Sequence, residues 1–191
     1  MLGRLWRAYD VAYRWFHGVE ELPVEGGSVL RISVERYRGP RVALADGTVV
    51  LRGDPVGIIH FNNELIRTFH DGAADPARVG IRMLRAFERS METLARLSQS
   101  HPRYRTVKGF TATTIFHQGT RRAGFEIFPP RSTFSARIVA AYARSVLARF
   151  HPRGAERVRR ARFAHARVVW ISRAALCRRY APSSSPSGTS S

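Results

Sequence analysis

The sequence predicts a single α/β (α+β) domain: an amphipathic first helix, a mainly antiparallel amino-terminal sheet of three or four strands, and carboxy-terminal α/β elements. Three observations carry this. Apolar residues recur at the helical period over 2–17 and again over 76–98; strand-like alternation broken by turn residues fills 28–61; and short strand and helix patterns alternate after His101-Pro102. Of the 191 residues, the last 11, from Ala181, form a Pro/Ser/Gly/Thr tail. Such a tail is too polar to fold and is expected to be disordered, which leaves 1–180 as one domain.

In the first helix Leu2, Leu5, Trp6, Tyr9, Ala12, Tyr13 and Phe16 fall within an arc of about 120°, with Arg4, Arg7, Asp10 and Arg14 opposite. Such a face docks on the protein's own sheet or lies in a membrane interface, the first being the commoner use. Ser28 to Tyr37 reads as a strand followed by a Gly39-Pro40 turn. A hairpin follows, with Arg41 to Ala45 and Thr48 to Leu51 as its arms and Asp46-Gly47 as the tight connection. Gly53-Asp54-Pro55 turns the chain into an apolar strand, Val56 to Phe61, and Asn62 or Asn63 caps a short helix, Glu64 to Phe69.

Pro76 opens a long helix to about Ser98, with Ile81, Leu84, Phe87, Met91, Leu94 and Leu97 as its inward stripe. Thr106 to Thr111 then predicts a strand, Thr113 or Thr114 a cap, and Ile115 to Ala123 a short helix ended by Gly124. Phe125 to Phe128 is a strand stopped by Pro129-Pro130, and Ser132 or Thr133 opens a helix to Phe150. After the break at His151-Pro152-Arg153-Gly154 come a basic helix, Ala155 to about Ala164, and a buried strand, Val168 to Ile171. A last turn of helix is capped by Ser172 and turns Leu176 and Tyr180 the same way.

Charge is unevenly distributed. The net formal charge is +18, from 32 basic and 14 acidic residues, yet Leu97 to Ser191 alone holds 18 basic against 2 acidic. Codon bias explains why 31 of the basic residues are Arg and one is Lys; it does not explain why carboxylates nearly vanish after Glu92. The excess therefore points to an anionic partner: a membrane surface or a polyanionic polymer. Nucleic acid is a further partner of the right charge, although no recognition motif for it is present. The single cysteine, Cys177, excludes an intramolecular disulfide and a Cys-based zinc finger. No uncharged apolar run approaches the roughly 20 residues of a membrane span. Asp10 and regular polar spacing make Met1 to Gly18 unlike a signal peptide. The expected location is cytoplasmic, peripheral at the inner face of the membrane. Phosphate-loop, dinucleotide, zinc-protease and nucleophile-elbow patterns are all missing, so no cofactor and no metal is expected.

Three sets of residues could carry chemistry. The first is Asp54, His60, Asn62 and Asn63. On a strand His60 and Asn62 share a face, a neutral imidazole can take a proton, and the amides can hold a carbonyl or hydroxyl. The bland alternative is that these side chains satisfy buried backbone groups and cap a helix. The second is Thr113, Thr114, His117, Gln118, Arg121 and Arg122, where a short helix start and two arginines suit an anion, or simply a cap and a solvated pair. The third is the run Arg157, Arg159, Arg160, Arg162 and Arg167, interleaved with Phe163, His165 and Trp170 and suited to phosphate contact and stacking, although Trp170 within Val-Val-Trp-Ile reads as core.

The blocks Arg36-Tyr37-Arg38-Gly39, Leu44 to Thr48, Gly53-Asp54, Ile59 to Asn63, Gly109 to Thr111, Arg122 to Glu126, His151 to Gly154 and Trp170 to Arg173 resemble, in this order, the bacterial YkoP-like family. The resemblance spans Arg31 to Tyr180. The family is largely uncharacterised. Its domain is also found attached to polysaccharide deacetylases, which implies an envelope setting and a separate deacetylase as a partner. This chain has neither the Thr-x-Asp-Asp-Gly-Pro segment nor the His-x-x-x-His pair of those catalytic domains, so it is not the deacetylase itself. The resemblance supplies no catalytic residues. The leading expectation is a non-catalytic envelope accessory protein that binds an anionic membrane or polymer through its basic carboxy-terminal half. The rival is a glycan- or acyl-group-modifying transferase or hydrolase with His60 as base, and non-specific nucleic-acid binding is the third.

Overall fold

In the computed structural model residues 19–69, 75–114, 117–130 and 166–181 are described. The helices expected over 2–17, 132–150 and 155–164 lie outside these residues, as does the tail beyond Ala181.

Alternation in Leu-Arg-Ile-Ser-Val-Glu-Arg sets the architecture. Strand β2 (Leu30–Arg36) turns Leu30, Ile32 and Val34 to one side and Arg31, Ser33 and Glu35 to the other. It lies between β1 (Glu20–Glu21) and β5 (Pro55–Phe61), antiparallel to both, with Arg31 opposite His60 and Ser33 opposite Ile58. Three helices follow β5: α1 (Asn63–Thr68), α2 (Pro76–Ser100) and α3 (Pro102–Arg105). They form the crossover that lets β6 (Gly109–Thr114) run parallel to β5, since parallel neighbours cannot be joined by a tight turn. Helix α4 (His117–Thr120), β7 (Glu126–Phe128), β8 (Arg167–Ser172) and α5 (Arg173–Tyr180) complete the order. The sheet is β1-β2-β5-β6-β8-β7, and β3 (Val42–Ala43) with β4 (Val49–Val50) forms a separate hairpin.

The predicted class holds, with one refinement. The amino- and carboxy-terminal strands join one six-stranded mixed sheet rather than a separate amino-terminal one. Two boundaries also move. His101 caps a helical turn at 102–105, so β6 begins at Gly109 instead of Thr106, and Thr114 ends the strand, opposite Arg167. In α2 the buried side chains concentrate from Ala86 to Ser98, and Ile81 and Leu84, expected to face inward, are 52% and 57% exposed.

Each face of the sheet has its own core. Leu30, Ile32, Ile59, Phe110, Val169 and Ile171 pack against Met91, Leu94 and Ala95 of α2 and Leu176 of α5. Gly57 permits this: a Cβ there would sit 2.2 Å from the Phe110 ring, whereas its hydrogen lets the aromatic lie flat on β5. On the opposite face Tyr37, Leu44, Val50 and Val56 enclose Trp170 beneath the β3–β4 hairpin, with Tyr37 meeting the indole edge-on at 5.4 Å. The hairpin tip is the predicted Asp46-Gly47, where Gly47 supplies the positive φ of 84°.

Candidate functional site

At the end of β5 the polar side chains form three bonded groups. Arg31, with its side chain only 9% exposed, meets Glu64 at 3.0 Å and Glu21 at 3.5 Å, so a buried cation has two carboxylates. His60 Nε2 lies 3.2 Å from Ser33 Oγ, which donates to Glu35 Oε1 at 3.3 Å. With its one proton on Glu35, the serine oxygen can accept only from a histidine protonated at Nε2. Asn62 closes the strand end: its Nδ2 donates to the Ser28 carbonyl at 3.1 Å, and its Oδ1 accepts from Leu65 N at 3.4 Å as the α1 cap. Asn63 is the first residue of α1.

The four residues of the first predicted set do not all meet. Asp54 precedes β5 and His60 lies near its other end, so six residues of extended chain hold them about 20 Å apart. The Asp54 carboxylate accepts from Leu51 N at 2.8 Å and shapes the turn before the strand. Arg31, Ser33 and Glu35 take the nearer places beside His60. Sequence reading missed them, although the period-two alternation of β2 marks Ser33 and Glu35 as one face; the strand register was the missing fact.

The second set divides as well. Thr114 is a buried strand residue, not a cap. His117 opens the four-residue α4, and its side chain lies outside the description. Arg121 and Arg122 are exposed on the turn after α4, where α5 grips them. Arg179 Nη2 donates to the Arg122 carbonyl at 2.5 Å, and Tyr180 Oη donates to that of Ala123 at 3.0 Å. The Arg179 side chain thus lies on the turn that carries Arg121 and Arg122, all three residues are exposed, and none has a carboxylate partner among the described residues. Glu126, the nearest carboxylate in sequence, instead accepts the Ala45 N–H at 2.9 Å. The sequence signal for Arg179 was Cys-Arg-Arg-Tyr on a helix whose Leu176 and Tyr180 turn inward, leaving the pair between them outward. Arg157, Arg159, Arg160 and Arg162 lie outside the described residues.

The clamp at the hairpin tip had no such signal. Ser172 Oγ donates to Asp46 Oδ2 while accepting from Ala175 N at 2.8 Å as the α5 cap, and Arg178 Nη2 reaches the same carboxylate oxygen at 3.3 Å. Burial works to raise the Asp46 pKa, yet hydrogen bonds from Ser172, Thr48 and Arg178 outweigh it, and the carboxyl is held below its usual range. Elsewhere burial and the neighbouring Glu20 push the Tyr104 hydroxyl up to about 12. Burial also raises the Tyr180 hydroxyl and the Cys177 thiol, so neither supplies a nucleophile at neutral pH. Among the described residues no group of three or more His, Cys, Asp or Glu could hold a metal, and no helix is long and apolar enough to cross a membrane.

A six-stranded mixed sheet with a polar, hydrogen-bonded face and an arginine-rich flank defines the class of protein. The chain belongs to the YkoP domain family, whose sequence model matches residues 1–180, wider than the Arg31 to Tyr180 blocks. It is 29% identical over 131 residues to the uncharacterized protein YkoP of Bacillus subtilis (strain 168), covering 68% of this chain and 71% of that one. No solved structure matches.

Proposed function

We propose that this protein is a non-catalytic accessory protein of the bacterial envelope that binds an anionic membrane or polymer through its basic carboxy-terminal half. The observation that carries the reading is that Arg179 of α5 is bonded to the turn bearing Arg121 and Arg122, with all three exposed and without a carboxylate partner among the described residues. The +18 net charge supplies the long-range attraction. Near an anionic surface each arginine is worth about 1 kcal/mol, so the triple variant Arg121→Gln/Arg122→Gln/Arg179→Gln is expected to bind roughly a hundredfold more weakly. Titration of wild type and variant with polyphosphate and with phosphatidylglycerol vesicles measures this. Equal affinities, in proteins with matching circular dichroism, would remove the reading. Duplex DNA belongs in the same titration: a steep fall of affinity with salt on DNA, exceeding that on the other ligands, would move the assignment to nucleic acid.

A second reading, a glycan- or acyl-group-modifying transferase or hydrolase, is favoured by the Glu35–Ser33–His60 line of contacts. Three facts weigh against it: Ser33 is fully buried, both polar atoms of the Asn62 amide are engaged, and Asp54 lies at the far end of the strand. A saturable thermal shift with a nucleotide sugar or acyl-CoA, abolished in His60→Gln, would restore it. A separate polysaccharide deacetylase as partner rests on the family's domain associations and is tested by co-purification.

A further inference from the structure

Helix α2 carries a second surface that the basic carboxy-terminal half does not include. At 100° per residue Arg78, Arg82, Arg85 and Arg89 fall within a stripe of about 60°. All four are exposed. Arg78 meets Asp75 at 3.8 Å, and the other three have no ion-pair or hydrogen-bond partner among the described residues. Beside the stripe Ile81 and Leu84 project at 52% and 57% exposure, one helical turn apart. From Ala77 to Arg85 only Val79 is buried, because the packed length of the helix begins near Ala86 and is pinned where Ser28 Oγ donates to Ser90 Oγ at 2.9 Å. The carboxylates of this helix are Glu88, directly before Arg89, and Glu92, one turn after Glu88, and both lie close enough to Tyr180 of α5 to act on its hydroxyl.

We infer that the amino-terminal half of α2 docks in the interface of an anionic lipid bilayer, with Ile81 and Leu84 entering the headgroup boundary and Arg82, Arg85 and Arg89 meeting lipid phosphates. An arginine stripe flanking exposed aliphatic side chains is the pattern of an interfacial helix. A second copy of the chain fits less well. Two large side chains fall far short of the roughly 800 Å² per partner of a stable interface, and symmetric pairing would bring two arginine stripes together. A soluble polyanion would use the arginines and leave the aliphatic pair without a role. The inference deepens the membrane branch of the proposed function and rests on different residues.

The test places a nitrobenzoxadiazole label at Leu84→Cys, in a Cys177→Ala background of the full chain, and mixes it with vesicles of phosphatidylcholine alone or of phosphatidylcholine with phosphatidylglycerol as the anionic lipid. A blue shift confined to the anionic vesicles is expected. So is a loss of vesicle partitioning, roughly tenfold in Ile81→Ser/Leu84→Ser and roughly a hundredfold in Arg82→Gln/Arg85→Gln/Arg89→Gln, with polyphosphate affinity unchanged in the aliphatic variant. An unshifted label, or unchanged partitioning in both variants, overturns the inference. A shift that grows with protein concentration without vesicles assigns the face to a second copy and overturns it too. The failures are separable: polyphosphate binding sensitive to Arg121, Arg122 and Arg179 alongside an unshifted label sinks only the α2 inference. A shifted label with an inert carboxy-terminal cluster sinks only the proposed function.

Discussion

The two faces of the sheet are built on opposite principles. On one, Leu30, Ile32, Ile59, Phe110, Val169 and Ile171 form a continuous apolar layer against α2 and α5. On the other, Arg31, Ser33, Glu35 and His60 stand in line with Val56, Trp170 and Ser172, and Arg31, Ser33, Glu35, His60 and Ser172 each have a named side-chain partner. The apolar face stabilises without direction, through area removed from water. The polar face fixes direction, because a hydrogen bond made to the wrong partner leaves a buried group unsatisfied. Substitutions should therefore separate the faces by the size and kind of effect. Phe110→Ala would remove the largest ring at the centre of the apolar face and is expected to destabilise by about 3–5 kcal/mol in equilibrium denaturation. A cost under about 1 kcal/mol would mean that Phe110 does not organise that core.

The polar face should respond less and more specifically. Asn62→Ala strips the α1 cap and leaves the Ser28 carbonyl without its side-chain donor, an expected loss of about 2 kcal/mol. Asn62→Ser, which keeps a cap, should recover part of it. If instead the alanine variant is as stable as wild type, the strand end is not held by this amide, and a substrate role for Asn62 gains ground.

Asp46 sharpens the contrast through pH. Its folded pKa lies below the unfolded value of 3.8, so its contribution is fully present at neutral pH and is lost only as pH falls from about 4 through the folded value. Asp46→Asn is expected to cost about 1 kcal/mol at neutral pH and to flatten the acid limb of the stability profile below pH 4. Parallel acid limbs in the two proteins would show that the hairpin clamp does not depend on this charge.

This contrast also explains what could be read from the sequence. Periodicity is a local signal of burial. It located β2, β5, β8, the β3–β4 hairpin and the helices at 63–68, 76–100 and 173–180 to within a few residues. It could not show that β5 and β6 are parallel neighbours or that all six strands share one sheet, since strand order depends on which apolar faces meet across long separations. It placed Ile81 and Leu84 inward because the helical pattern continues beyond the length of helix that finds a partner. A cap at Asn62 or Asn63 was legible from their place before Glu64, the structure giving it to Asn62, and Arg121 and Arg122 were legible as an exposed pair. The clamp of Asp46 on Ser172 was not, because 126 residues separate its partners and each has a sufficient local role, one in a turn and one as a cap.

The smallest expected effect concerns a polar atom on the apolar side. Cys177 Sγ lies 3.7 Å from the Ala95 carbonyl, where α5 packs on α2. Burial raises its pKa, with Arg173 opposing, so the neutral thiol is the stabilised form; its contribution is complete at neutral pH and would fade only as pH rises through the usual thiol value of 9.0 and beyond. A half-buried neutral thiol behaves as a small hydrophobe with a weak donor. Cys177→Ala is therefore expected to change stability by less than about 1 kcal/mol, and the native thiol to react with a disulfide reagent at pH 7 far more slowly than in denatured protein. Reaction as fast in the native state as in the denatured state would mean that the α2–α5 contact opens readily. The apolar face would then be the more mobile of the two, the reverse of the order that Phe110→Ala and Asn62→Ala are expected to establish.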